Sequence, residues 1–389
     1  MNRIVFVLFL LGTGIISCKK GDSKESGTIS IYNLSQDRQK TSSTFKFQVL
    51  LDKAVNAEVS FDYTTVEGNA KANTDFIPKS GTVTIPANST EAFIEITVTG
   101  DSLRRESQLF YVQLSKAVNG SFVKDKATGT IVNENLLYYP VSNTGYSTPT
   151  TYPGYTLVWQ DEFDGTAVNS NFWTFEQGNN NGWGNNELQN YTNRTENAFV
   201  SNGNLIIEAR SERYGNSNYT SARMITKDKK TFTFGRVDIR ARMPKGQGIW
   251  PALWMLGNNI DVVSWPACGE IDIMEYLGHE TNKVHATCHW GNSFATRASK
   301  TTSRILTTGG FNDEFHVYSM IWTQDSIKIY VDDVLSLSLA KTEVNQNYPF
   351  NSPFFFIFNI AVGGNWPGVP DSSTTFPQRM IVDYIRVFQ

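Results

Sequence analysis

"CGEIDIMEYLG", residues 268–278, places three carboxylates within six positions: Glu270, Asp272 and Glu275. Ile271, Ile273 and Tyr276 suggest a β-strand, on which successive side chains alternate between faces. Glu270 and Asp272 then share a face and Glu275 points the other way. A helix does no better, because at 100° per residue the acids would stand at about 0°, 200° and 140°. A β-bulge restores the pattern. If Met274 is an extra residue opposite a single partner, the count slips by one and Glu275 returns to the face of the other two. On a strand rising about 3.3 Å per residue, Glu270 and Glu275 become effective i and i+4 neighbours whose side chains can approach to roughly 5 Å. At that spacing one ionised carboxylate can attack an anomeric carbon while the other, protonated, assists the leaving oxygen. Asp272 between them would orient the nucleophile, and its charge would help keep Glu275 protonated.

Around this stretch the sequence is strand after strand: "LIIEARS", "FGRVDIRARM", "VHATCHW", "SIKIYVDD", "FFFIFNIAV" and "MIVDYIRVFQ", with almost no helical period. All nine Trp and all four His lie after residue 154, and "YYPVSNTGYSTPTTYPGY" reads as a linker over 136–154. Short alternating runs before it predict a seven-strand β-sandwich over 28–135. The chain is thus all-β, a small sandwich followed by a larger strand-rich domain over 155–389. Its 389 residues suffice for two cores, and a formal charge of −3 gives no sign of a nucleic-acid partner. Residues 1–18 carry one early Arg, an apolar run and small residues before Cys18, the pattern of a signal peptide. "IISC" also resembles the lipobox of bacterial lipoproteins, which makes Cys18 the lipidation site and 19–27 a polar tether. The expected location is the cell surface or outer membrane, with periplasmic or secreted protein as the alternative. Membrane contact is expected only through that anchor, and the protein is expected to be a monomer. Cys268 and Cys288 remain, too few for a disulfide framework. A hairpin centred near 279–281 would set Cys288 opposite about Asp272, leaving their pairing open.

The carboxylate strand resembles the signature of glycoside hydrolase family 16. Further landmarks run across 157–389, among them "WQDEFDG", "GWGNNELQNYT", "FGRVDIRARMPKGQGIWPALWMLG" and "NIAVGGNWPG". The resemblance implies a concanavalin-like β-jelly roll of two antiparallel sheets. It makes Glu270 the nucleophile, Asp272 its assistant and Glu275 the acid/base, with no cofactor needed for catalysis. The Met bulge is similar to that of the laminarinases, which implies a retaining endo-β-1,3-glucanase acting on laminarin-like glucan. Mixed-linkage β-1,3-1,4-glucanase and agarase- or carrageenase-type galactanase are the alternatives within the family. A non-catalytic glucan-binding jelly roll has no use for a complete E-x-D-x-x-E set. The N-terminal stretch from "VSFDYTT" to "LFYVQLS" resembles a Calx-beta module. Its usual second acid after Glu106 is replaced by Ser107-Gln108, which argues against calcium there and for a spacer.

Sugar faces pack on flat rings, and hydroxyls need fixed donors and acceptors. Trp250, Trp254, Trp265 and Trp366 are the candidate platforms, Trp254 sharing a face with Trp250 and serving partly as core. The resemblance adds Asn185 and Arg223 as hydroxyl contacts and places His289 near the acid/base. By strict alternation Asp383 shares an apolar face with Ile381, Ile385 and Val387 and therefore needs a partner. The family's structural calcium would supply one, held by Glu162, the Gly203 carbonyl and Asp383.

Overall fold

The computed structural model describes residues 26–133 and 136–389. The targeting segment with Cys18, and all but the last two residues of the tether, lie outside them. Two compact units emerge. One runs to Asp101 and takes in Ser107–Val132, and the other takes in Ser102–Glu106 and Asn133–Gln389.

In the first unit alternation does what it should. Over Ser43–Leu51 every second residue, Phe45, Phe47, Val49 and Leu51, is buried and those between face outward. The unit is a sandwich of a four-stranded and a five-stranded sheet, nine strands where seven were expected. The first expected strand is two: Gly27–Ile31 belongs to one sheet, with one antiparallel and one parallel neighbour, and Leu34–Asp37 to the other through a parallel pairing. Gly120–Lys124 is the second addition. Asp75, in the N-terminal unit, is bound by cationic and amide donors. Arg38 Nη2 donates to Oδ1 at 2.9 Å and Gln108 Nε2 to Oδ2 at 2.8 Å. Gln108, one of the two residues in place of the family's second acid, thus hydrogen-bonds a buried aspartate.

The second unit is a jelly roll of two antiparallel sheets. In the sheet that lines the cleft, the strands lie in the order Thr174–Glu176, Arg223–Ile225, Phe354–Val362, Ile249–Gly257, Glu270–Tyr276, Lys283–Trp290 and Ala298–Ile305. The ten-stranded back sheet is centred on Gln378–Phe388 and Gly235–Arg242. Among the described residues there is one α-helix, Ile260–Val263, as the missing helical period predicts. The core lies between the sheets, where Leu253, Met255, Ile271, Ile273, Met274 and Tyr276 meet Val237, Ile239, Met320, Ile385 and Val387. Each such aliphatic side chain contributes roughly 1.5–3 kcal/mol on burial. "FFFIFNIAV" is buried along its whole length, as a central strand should be.

The stretch expected as a linker, 136–154, is packed onto the back sheet. Thr148 is buried, and its N–H and hydroxyl meet the Tyr384 hydroxyl at 2.9 and 2.8 Å. Tyr152 donates to Asp238 and Tyr146 to Asp333, both at 2.7 Å. Its Pro/Ser/Thr-rich composition gave no period because the strap makes side-chain and isolated backbone contacts instead of a strand ladder. In the same unit Arg104 forms a fully buried pair with Glu208.

Candidate active site

The bulge is present with its single extra residue, shared between Ile273 and Met274 on one side and falling on Ile273 on the other. Against Lys283–Trp290, Asp272 pairs with Thr287 and Glu275 with His285, so Ile273 and Met274 together stand opposite Ala286. Against Ile249–Gly257, Trp254 faces Asp272 and Leu253 faces Met274, leaving Ile273 as the skipped residue. Both bulge side chains are buried in the inter-sheet core. Driving two apolar residues inward in succession is what turns Glu275 back toward Glu270 and Asp272. Gly269 sets up the strand's entry. Its φ is +80°, and a Cβ would stand 2.8 Å from atoms of Phe354 and Pro349.

The three acids open into one cleft of about 710 Å³ together with every candidate sugar contact, Asn185, Arg223, Trp250, Trp254, Trp265, His289 and Trp366. Trp250 Nε1 donates to Glu275 Oε1 at 3.3 Å, and its ring meets Trp366 edge-on at 5.5 Å. Trp366 is 40 % exposed, free to stack on a sugar. Trp254 is half platform and half core: it packs on Ile225, Phe355 and Ile357, and its N–H donates to Asn359 Oδ1 at 2.8 Å. Arg223 is ion-paired with Glu176, its guanidinium 4.8 Å from the rings of both Trp183 and Trp254.

Burial raises all three acids. Glu270 is pushed up to about 7 by desolvation, against the pull of the nearby Trp265 indole N–H and the Arg223 charge. Glu275 is pushed up to about 8, first by desolvation and then by the charge of Glu270. Asp272 rises well above its ordinary range through desolvation and both glutamates. Beside desolvation, the charge of Glu270 helps hold the proton on Glu275. The Trp265 N–H, close to Glu270, makes no hydrogen bond of good geometry.

His289 differs from expectation. It stands opposite Glu270, its Nε2 3.4 Å from Asp272 Oδ2 and 3.7 Å from Glu270 Oε1. Desolvation lowers it to about 4, so it is neutral. The histidine opposite Glu275 is His285, whose ring meets Trp366 edge-on at 4.9 Å and whose Nδ1 bonds Ser303 Oγ at 3.0 Å. The bulge produces this register: it makes Cys288 face Ile271, one residue off the estimate, and leaves Cys268 and Cys288 as buried free thiols.

The expected calcium ligands do not fit a cation as arranged. Both Glu162 oxygens accept from Arg386, at 2.7 and 2.8 Å. Asp383 accepts from Arg240 Nη1 at 2.7 Å. Gly203 sits in the turn between Ala198–Ser201 and Asn204–Tyr214. Nor does Asp383 break an apolar face. The pairing with Gly235–Arg242 slips there, Val382 and Tyr384 meeting consecutive residues with Asp383 between them. Its needed partner is an arginine.

Five site residues escaped the sequence reading. Glu187, 7 % exposed, accepts from Gln189 Nε2 at 2.7 Å and Asn185 Nδ2 at 3.3 Å. Tyr191 donates to it at 3.4 Å and accepts from Asn359 Nδ2 at 3.1 Å, so one polar chain runs from Glu187 to the Trp254 indole. Asn359 was visible as the single polar residue of an apolar strand. Trp183 and His285 gave no local signal.

A jelly roll whose cleft carries buried, closely coupled carboxyls between indole walls defines a class: enzymes that cleave glycosidic bonds with acid pairs. The chain matches Glycosyl hydrolases family 16 over residues 185–386 and the Calx-beta domain over 22–135. It is 42 % identical over 251 residues to a beta-glucanase of Rhodothermus marinus, covering 61 % of this chain and 86 % of that one. It is 40 % identical over 271 residues to glucan endo-1,3-beta-glucosidase A1 of Niallia circulans, covering 63 % of this chain and only 39 % of that longer protein. The catalytic domain of an endo-1,3-beta-glucanase (laminarinase) from Thermotoga petrophila superposes with a TM-score of 0.57 at 48 % identity, covering 60 % of this chain and 98 % of that one. The chain belongs to glycosyl hydrolase family 16.

Proposed function

We propose that the chain is a retaining endo-β-1,3-glucanase. The observation that carries the reading is the bulge at Ile273–Met274, which gathers Glu270, Asp272 and Glu275 in one indole-walled cleft. In the first step the Glu270 carboxylate attacks the anomeric carbon as Glu275 gives its proton to the departing oxygen. A glycosyl ester on Glu270 results. Esterification removes a charge that helps hold Glu275 protonated, so the same group becomes the base that takes a proton from water. The hydroxide equivalent attacks the same carbon and frees Glu270. Asp272, on the same strand face between the two glutamates, orients the nucleophile.

β-1,3-Glucan is favoured by the names of the relatives and by the cleft's charge. Among the described lining residues the sole Lys or Arg is Arg223, already neutralised by Glu176 and enclosed by two indoles. A sulfated galactan would want a free cation. Lipid attachment at Cys18 and a cell-surface location belong to the same proposal, and among the described residues no helix is long and apolar enough to cross a membrane. A digest panel of laminarin, lichenan, agarose and carrageenan, with products sized over time, tests substrate and endo action. The expected result is early mid-length oligosaccharides from laminarin, the new reducing ends first appearing as β-anomers by NMR. Faster cleavage of lichenan or of a galactan, or α-anomers first, would overturn it.

A further inference from the structure

One corner of the cleft has the form of a metal site. His289 Nε2 lies 3.4 Å from Asp272 Oδ2 and 3.7 Å from Glu270 Oε1, and no two of the three ligating atoms are more than 4.8 Å apart. Asp272 Oδ2 is buried with no hydrogen-bond partner, on a side chain 5 % exposed, and it is the oxygen nearest the imidazole. A buried carboxylate oxygen without a donor is costly, and a cation would satisfy it. The spacing also selects the cation. Zinc–ligand bonds of about 2.0–2.2 Å in a tetrahedron put neighbouring ligand atoms about 3.3–3.6 Å apart, close to the two measured edges. Calcium and magnesium ask for six or more oxygens, whereas one imidazole with two carboxylates suits zinc.

We infer that Glu270, Asp272 and His289 bind Zn²⁺ reversibly, with the fourth position open to water in the cleft. The bound ion holds the Glu270 oxygen, so zinc and glucan exclude each other. The exclusion rests on the proposed nucleophile, while the binding site itself does not.

The test is calorimetric titration of the full chain with zinc chloride, together with Co²⁺ in its place as a spectroscopic probe. Wild type is expected to bind zinc and to give the strong visible bands of tetrahedral cobalt. His289→Asn and Asp272→Asn, each checked for folding by circular dichroism, should weaken zinc by about tenfold or more and abolish the bands. Glu280→Gln removes a His–carboxylate pair outside the site, His285 Nε2 to Glu280 Oε2 at 3.7 Å, and should leave zinc affinity unchanged. Saturating laminari-oligosaccharide should weaken zinc binding. The site is overturned if wild type binds no zinc, or if folded His289→Asn and Asp272→Asn bind it as tightly as wild type. If zinc binding responds to those variants but laminarin is neither cut nor competes, the metal site stands and the glucanase reading falls. The converse pattern separates the two the other way.

Discussion

Neutralising Glu270 should alter Glu275 as well as remove the nucleophile. Glu270→Gln keeps the size and hydrogen bonding of the side chain but forms no stable glycosyl ester, so turnover is expected to vanish while glucan binding persists. In that variant Glu275, relieved of a neighbouring charge, should titrate below its wild-type value of about 8, a shift readable by carboxyl ¹³C NMR. Catalysis needs Glu270 ionised and Glu275 protonated. With the pair at about 7 and about 8 in the free enzyme, the kcat/KM profile should rise through the first and fall through the second. The same shifts act on stability. Both glutamates ionise at 4.5 when unperturbed, so between 4.5 and about 8 the folded chain holds protons that the unfolded chain has released. Stability from this source therefore falls as pH rises through that window. The double variant Glu270→Gln/Glu275→Gln should exceed wild type in Tm by a few degrees at pH 8 and by little at pH 5, measured by calorimetry. Equal gains at both pH values would contradict the assignment.

At the scale of the strand, Ile273 and Met274 set the direction of Glu275 by their insertion into the core. Deleting Met274 restores strict alternation and should swing Glu275 off the cleft face or slip the register, with laminarin turnover falling by orders of magnitude. Because Met274 is buried, some loss of Tm should accompany it, whereas Met274→Leu keeps the count and should cost less than about 1.5 kcal/mol with near-normal turnover. Near-wild-type activity in the deletion would show that something else directs Glu275. The bulge was legible because three acids in a β-pattern cannot otherwise share a face. Which residue is skipped was not, because the pairing of Ile273 depends on two neighbouring strands at once. His289 was misplaced for the same reason: which histidine meets which acid follows from cross-strand register. Asn359 was written plainly in the sequence as a polar interruption, but its joint role with Glu187 needs segments far apart in the chain to become neighbours.

For the whole molecule, composition marked a boundary near 136–154, yet that segment straps the back sheet through Thr148, Tyr146 and Tyr152. A chain beginning at 136 should therefore melt higher than one beginning at 155, with similar rates on short soluble oligosaccharides, since the cleft lies wholly beyond both cuts. Equal melting temperatures would deny the strap its role. The two buried thiols carry a different consequence. Cys268 is pushed up to about 12 by desolvation and Cys288 well above its usual range, so neither supplies a thiolate at neutral pH. With no cross-link between them, the catalytic unit is indifferent to redox conditions. It should fold in a reducing cytoplasm, tolerate dithiothreitol, and resist alkylating reagents until it is denatured.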